Sequence, residues 1–395
     1  MNRYIKIILI VSGLYGLAVG LYDFLFPIYL DTIGLSFKKM GWIFSIAFAL
    51  IFIFRIYLGH ISDFMGRKIF YGISLIGGAI SHFFTPFFHT FFPLAFLKTL
   101  REISLTLRES FLPVLVFEQS RKNFLNFIAK TRGMLFFLQG MGIFGAGFIL
   151  AEIGIRKSLI ISSFPLIISI IIFYLFYREK FKPLGERNFS PKVIFGKLPT
   201  IQQRKITILG FSITLGVFIS HTFILPLYFL QKFSISPLAI ASVLAIHRVI
   251  FGIPMLVTGK LIKKSHREIF FYGLLFQGVA ISSTVFMPNF ILAAVVFLLH
   301  DIGAAFWSPI YQSYIQKFSR KENRAKDTST ILAYTSLGRI IAPLITGYIV
   351  SIDLDLPFFV SGILTIIASL FVLTLPSYCA EEGSRTPTRE LLTRS

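Results

Sequence analysis

Apolar runs long enough to cross a lipid bilayer recur almost without interruption along this chain, and that recurrence limits its possible folds more than any single motif does. A hydrocarbon core about 30 Å thick takes roughly 20 mainly apolar residues per helical crossing. Inside lipid every backbone N–H and C=O must be paired within its own segment, so such runs become helices. Bounded by charged or Pro/Gly/Asn-containing turns, the runs predict twelve spans near residues 5–30, 41–58, 69–88, 91–117, 133–153, 157–177, 206–230, 238–258, 269–287, 290–316, 328–351 and 357–376. Hydrophobic residues make up 55% of the chain and charged residues 14%, against about 45–50% and about 25% in soluble domains. That balance argues against a water-soluble fold. The apolar stretch that follows Met1 to Lys6 continues to about Leu30 without a small-residue cleavage site, which predicts a retained first helix.

A net charge of +21 would suit a nucleic-acid surface, but the positions of the charges exclude nucleic acid as a partner. Most Lys and Arg residues fall in segments on one side of the predicted membrane: Arg67 and Lys68, then Arg121, Lys122, Lys130 and Arg132, and later Lys260, Lys263, Lys264 and Arg267. By the positive-inside rule that side is cytoplasmic. Twelve crossings then place both termini there, in a multi-pass protein of the plasma or inner membrane. Cys379 is the only cysteine, so neither an intramolecular disulfide nor a multi-cysteine metal site is available, and no cofactor or metal is expected.

The longest polar break, about residues 178–205, is rich in Lys and Arg and holds Pro183, Pro191 and Pro199. It predicts a cytoplasmic linker between an N-terminal six-helix bundle, 1–177, and a C-terminal one, 206–376. The tail from 377 to 395 is polar, aperiodic and expected to be disordered. Local sequence repeats between the halves at an offset near 200. Phe26-Pro27-Ile28-Tyr29 returns as Leu225-Pro226-Leu227-Tyr228, Gly59 with Arg67 and Ile69-Phe70 as Gly259 with Arg267 and Ile269-Phe270, Ser120-Arg121-Lys122 as Ser319-Arg320-Lys321, and Gly147-Phe148-Ile149 as Gly347-Tyr348-Ile349. Matches in order at one offset mark a duplicated chain. The expected fold is therefore all-α, twelve transmembrane helices in two pseudo-symmetric six-helix bundles.

Between the second and third spans the chain reads Gly59-His60-Ile61-Ser62-Asp63-Phe64-Met65-Gly66-Arg67-Lys68. Glycines suit a tight turn, and Asp63 lies where a carboxylate can meet the free N–H groups of the next helix. The stretch resembles the G-x-L-x-D-R-x-G-R-K signature of the major facilitator superfamily at this same place. Glycine-rich fifth and eleventh spans (Gly140, Gly142, Gly145, Gly147; Gly338, Pro343, Gly347) and the six-plus-six layout extend the resemblance over the chain. Phe64 stands where a basic residue is usual, and Lys263 replaces Asp in the second copy. The resemblance implies a cytoplasmic gate formed by Gly59, Asp63, Gly66, Arg67 and Lys68, and a central cavity surrounded by spans 1, 4, 7 and 10.

In the fourth span Lys98, Arg101, Glu102, Leu105, Arg108 and Glu109 share an arc of roughly 120° at 100° per residue. An ionised side chain at the bilayer centre costs about 2.5 kcal/mol or more, so this stripe must line a wet cavity or pair internally. His300-Asp301 in the tenth span lies 199 positions after Arg101-Glu102. Both dyads sit near mid-membrane and are expected to meet where transporters of repeated halves bind substrate. Asp23 and Lys98 are placed to form an ion pair, as are Arg108 and Glu109. His221, Arg248 and Arg339 are further cavity candidates, while His221 and His247 also suit hydrogen-bonded packing.

The expected function is secondary transport of a small solute by alternating access, since no G-x-x-x-x-G-K-[ST] nucleotide loop is present. Proton coupling fits Asp23, Glu102, Glu109, Asp301 and His300. Within the spans Arg55, Lys98, Arg101, Arg108, Arg248 and Arg339 outnumber the four acids, a lean toward an anionic or polar substrate. A proton-driven multidrug efflux antiporter is the alternative. An intramembrane lipid-modifying enzyme would need a nucleophile and base or a metal cluster, and no such spacing appears, so no enzyme is expected. The expected partners are a small-molecule substrate, protons and membrane lipid, with the chain acting as a monomer.

Overall fold

The computed structural model describes residues 3–65, 67–120, 124–178, 198–261, 266–320 and 324–377, with the side chains of 55–67, 118, 124–126, 129, 252–265, 324–326 and 329 outside that description. Among the described residues fourteen α-helices make up twelve crossings. They are α1 (Arg3–Thr32), α2 (Phe37–Met65), α3 (Arg67–Phe84), α4 (Phe91–Gln119), α5 (Phe124–Ile153), α6 (Ile155–Ile161) with α7 (Phe164–Phe176), α8 (Ile201–Ser220) with α9 (Ile224–Phe233), α10 (Pro237–Leu261), α11 (His266–Ser283), α12 (Phe290–Phe318), α13 (Arg324–Ile349) and α14 (Leu356–Val372). Among the described residues nine segments are long and apolar enough to cross a membrane, and Pro237–Phe251 and Leu356–Val372 are shorter apolar helices. The remaining crossing is α4, whose hydropathy is held down by its own charges. Length and composition make this a multi-pass membrane protein.

Several helices outrun their apolar runs. α2 continues to Met65 and α3 begins at Arg67, so Gly59 to Asp63, read above as loop, is helical backbone. A helix leaving lipid keeps its internal hydrogen bonds, so the end of an apolar run does not have to end the helix. The seventh crossing, expected as one helix, is broken at His221–Phe223 between α8 and α9. Pro226 supplies no N–H, and its ring crowds the carbonyl of Thr222 four residues back. Most of the predicted linker and tail, and the basic residues Arg121, Lys122, Lys263 and Lys264, lie outside the described residues.

Helix packing shows the duplication. Within the first half α1 packs on α5 and α7, and α4 on α2 and α3; within the second half α8 packs on α13 and α14, and α12 on α10 and α11. Between halves the two extensive contacts, α5 on α10 and α2 on α13, exchange under the same pseudo-two-fold. Without a hydrophobic drive between helices in lipid, small residues set how closely they approach. A Cβ on Gly20 would lie 2.1 Å from the Gln139 carbonyl oxygen and one on Gly142 2.3 Å from that of Leu17, so only glycine fits the α1–α5 seam. One on Gly41 would lie 2.4 Å from the Pro343 carbonyl oxygen, where α2 crosses α13.

The buried side chains divide unevenly along the molecule. At the end where α1 finishes and α2 begins, one apolar cluster draws on both halves, with Phe26 and Phe44 beside Phe223 and Phe229. Toward the end where α1 begins and α14 finishes, each half has a separate cluster, around Tyr71 and Phe173 in the first and around Phe270 and Tyr314 in the second. The halves are thus knitted together at one end and diverge toward the other, with a cavity between them.

Candidate functional site

That cavity holds about 620 Å³ and is lined by all the residues proposed in the sequence as cavity candidates: Asp23, Lys98, Arg101, Glu102, Arg108, Glu109, His221, Arg248, His300, Asp301 and Arg339. The charged stripe of α4 faces inward, with Lys98, Arg101, Glu102 and Arg108 each 5% exposed or less. The two dyads line the same space, but among the described residues each keeps its ion pairs and hydrogen bonds within its own half.

In the first half the charges neutralise one another in a chain. Lys98 Nζ lies 2.7 Å from Glu102 Oε1, and Arg101 Nη1 lies 2.5 Å from the same oxygen. The Nη2 of Arg101 reaches back to α1 and holds both carboxylate oxygens of Asp23, at 2.5 and 2.6 Å. The expected Asp23–Lys98 pair is therefore corrected: Asp23 belongs to Arg101, and Lys98 to Glu102 one helical turn along. The longer, forked guanidinium spans the gap to α1 and bridges two acids, while Lys98 rests over the Phe44 ring at 4.4 Å. Asp23 is the open member, its side chain 32% exposed.

Arg108 does not take the expected partner Glu109. Adjacent residues on a helix point about 100° apart, and Arg108 places its guanidinium 4.5 Å from the centre of the Tyr15 ring on α1. Its Nε and Nη2, and the Nε of Arg248 on α10, are buried without a hydrogen-bond partner among the described residues. Arg339 on α13 lies over Phe218 at 4.5 Å. Buried guanidinium nitrogens left without acceptors are costly, which marks where an anion would be welcome.

The second half uses imidazoles. Asp301 Oδ2 accepts from Nδ1 of His247 at 2.5 Å, Asp301 Oδ1 lies 3.4 Å from Nε2 of His300, and that nitrogen meets Nε2 of His221 at 2.9 Å. His221 reaches α12 because it sits at the break between α8 and α9. Ligand atoms of His247, His300 and Asp301 lie within 4.8 Å of one another, near enough to share a cation. His247, which the sequence assigns to packing, is buried and also lines the cavity. Its neighbour Arg248 in mid-span was the available signal. Other groups the sequence did not flag are Gln277, which accepts from Trp307 Nε1 at 2.5 Å beside the cavity, and Tyr15. Of the gate stretch, Gly66 and the side chains of Asp63 and Arg67 lie outside the described residues, and Lys68 sits over the Tyr174 ring at 5.8 Å.

Twelve crossings in two related bundles around a polar cavity are the architecture of membrane transporters built from repeated halves. The family model of the Major Facilitator Superfamily matches residues 8–331 and 265–391, and the chain belongs to that family. Among solved structures, a point mutant of the nucleoside transporter NupG is similar at a TM-score of 0.79 and 14% identity over 94% of this chain and 99% of that one. A bacterial homologue of the iron transporter ferroportin in an inward-facing state gives 0.76 and 16% over 94% and 98%. The inward-open xylose transporter XylE from E. coli gives 0.72 and 15% over 95% and 97%. Among curated proteins none matches the chain by sequence.

Proposed function

We propose that the chain is a proton-coupled secondary transporter of small organic anions, working by alternating access. The observation that carries this reading is the pair of guanidiniums, Arg108 from the first half and Arg248 from the second, with buried nitrogens lacking acceptors among the described residues on one shared cavity. The neighbouring Asp23, Arg101, Glu102 and Lys98 already balance one another. A carboxylate or phosphate between Arg108 and Arg248 would satisfy both halves at once and draw them together, which is the step that alternating access requires.

The positive-inside bias supports a plasma or inner membrane location with both termini cytoplasmic. On that orientation the joined end is external and the cavity opens to the cytoplasm. The polar stretch 178–205 then serves as a cytoplasmic linker between bundles 1–177 and 206–376, and Gly59, Asp63, Gly66, Arg67 and Lys68 as the gate between α2 and α3. The protein works as a monomer in lipid. A second reading, proton-driven export of amphipathic drugs, draws on the aromatic wall of the cavity, with Phe26, Phe44, Phe48 and Phe218.

The test is uptake by proteoliposomes under an imposed proton gradient, with radiolabelled dicarboxylates, sugar phosphates and a lipophilic cation as probes. Proton-driven uptake of an anion that Arg108→Ala and Arg248→Ala both weaken is the expected result. Transport of the cation alone, unaffected by either change, would overturn it in favour of drug export.

A further inference from the structure

Neutral imidazole carries one N–H and one lone pair, and imidazolium carries two N–H groups. His300 on α12 has its Nδ1 against the carbonyl oxygen of Phe297. A carbonyl only accepts, so that nitrogen bears hydrogen. Its Nε2 faces His221 Nε2 at 2.9 Å and Asp301 Oδ1 at 3.4 Å. His221 Nδ1 in turn lies 3.0 Å from the Val217 carbonyl oxygen and 2.8 Å from Ser220 Oγ.

Two proton arrangements fit these same heavy-atom positions. In the first, the Ser220 hydroxyl donates to His221 Nδ1, His221 Nε2–H donates to His300 Nε2, and both rings are neutral. In the second, His221 Nδ1–H donates to the Val217 carbonyl, and Ser220 turns its hydroxyl to Ser361 Oγ, 2.8 Å away. The hydrogen in the N···N contact then belongs to His300, all of whose neighbours (Phe297 O, His221 Nε2 and Asp301 Oδ1) are acceptors. The second arrangement holds one proton more than the first, and no heavy atom has to move to admit it.

We infer that the His221–His300 pair is a proton-binding site, with Asp301 as its counter-charge and His247 as the residue that orients Asp301. This rests on the proton-coupled reading above and assigns it a position. The charged and titratable groups facing the pair are Asp301 from α12 and His247 and Arg248 from α10; α14 presents Ser361 and α11 Gln277. Asp301 favours the added charge, and Arg248 opposes it until an anion neutralises the guanidinium. Proton and anion therefore assist each other in binding, as symport demands. Hydrogen bonds join His221 to His300 and Asp301 to His247, and an ion-pair contact at 3.4 Å links the two pairs. His221 belongs to the break between α8 and α9 and His300 to α12, so loading acts on a contact between two crossings that line the cavity.

The test is solid-state NMR of the protein labelled with 15N-histidine in lipid bilayers, titrated between about pH 5 and 8, the range in which histidine charge changes. Among the signals of the 7 histidines, the one that vanishes in His300→Gln is expected to gain a second ring N–H as the pH falls. His221→Gln is expected to alter that signal without removing it. Ser220→Ala takes away the donor that supports the neutral arrangement and is expected to enlarge the imidazolium fraction at the same pH. A His300 signal, assigned by its loss in His300→Gln, that stays neutral throughout, or one that responds to Zn²⁺ in place of pH, would overturn the assignment. The spectrum needs no solute: failure of anion uptake with a titrating pair refutes the transport reading alone, and uptake with a silent pair refutes only this one.

Discussion

Arg101-Glu102 and His300-Asp301 occupy equivalent places in a duplicated scaffold, yet the two halves have built different devices there. The first half binds its charges tightly: Arg101 holds Asp23 and Glu102, and Lys98 completes the chain on Glu102. The second half places imidazoles around a single carboxylate, Asp301. The helices opposite differ in step. Pro27 leaves α1 continuous, so Asp23 is presented from a rigid helix, whereas the matching Pro226 accompanies a break that turns His221 inward. Tyr22, which corresponds to His221, is instead stacked on His82 at 4.1 Å and bonded to Thr85 at 2.9 Å. Duplication preserved the backbone frame, and the two sites diverged into a rigid electrostatic clamp and an adaptable hydrogen-bond relay.

That contrast can be broken most forcefully at its centre. Arg101→Ala leaves the buried Glu102 with Lys98 alone to answer it and the half-open Asp23 unpaired, and removing one partner of a buried pair costs about 3–5 kcal/mol. Transport is expected to disappear while the protein remains in the membrane, with a much lower midpoint in thermal unfolding. His300→Gln is expected to unfold near the wild-type temperature. Equal destabilisation by the two would remove the distinction between clamp and relay.

A smaller effect is expected where the halves cooperate. A hydrogen bond to a charged group contributes about 1.5–3 kcal/mol, so Arg108→Ala and Arg248→Ala should each raise the KM for anion uptake by roughly 10- to 100-fold. Initial-rate measurements across substrate concentration check this, and an effect from only one of the two would confine substrate binding to that half.

The seams between helices give a third comparison. A Cβ at Gly20 would meet the Gln139 carbonyl oxygen at 2.1 Å, but one at Gly216 would come no nearer than 3.0 Å to the Thr365 hydroxyl, 3.2 Å to its backbone nitrogen and 3.3 Å to Leu364 Cβ. Overpacking costs about 1–3 kcal/mol, so Gly20→Ala is expected to lower the unfolding midpoint clearly and Gly216→Ala less. The reverse order would mean that the second half is the more tightly packed.

The smallest effect belongs to a latch found on the second half, outside the spans. Asp327, just ahead of the membrane part of α13, accepts two hydrogen bonds from the Arg320 guanidinium at 2.8 and 2.9 Å, with Gln203 at 2.8 Å. Arg320 lowers its carboxyl from the ordinary 3.8 to about 2. A carboxyl depressed in the folded state stabilises it above the unfolded value and loses that contribution as pH falls through the folded one. The corresponding first-half residue is Ile128. Thermal unfolding of wild type and Asp327→Asn should therefore differ slightly above about pH 4 and converge toward pH 2; a constant difference at all pH values would show that the charge is not what the latch uses.

Much of the frame was legible from residues alone because lipid imposes one-dimensional rules. Apolar length predicts crossings, basic loops predict sides, a fixed offset predicts duplicated halves, and the cost of burying charge required the face of Lys98, Arg101, Glu102 and Arg108 to turn inward. Partner choice was not legible. Asp23 and Lys98 look paired by depth, but the distance between α1 and α4 suits the guanidinium of Arg101, and Lys98 finds Glu102 on its own helix. His247 read as packing because nothing local places it against Asp301 from another crossing. The break at His221 was hidden because Pro27 has the same neighbours in an unbroken helix. Burial and periodicity belong to each segment and can be read along the chain; ion pairs, proton relays and helix breaks depend on how segments approach one another, and only packing decides that.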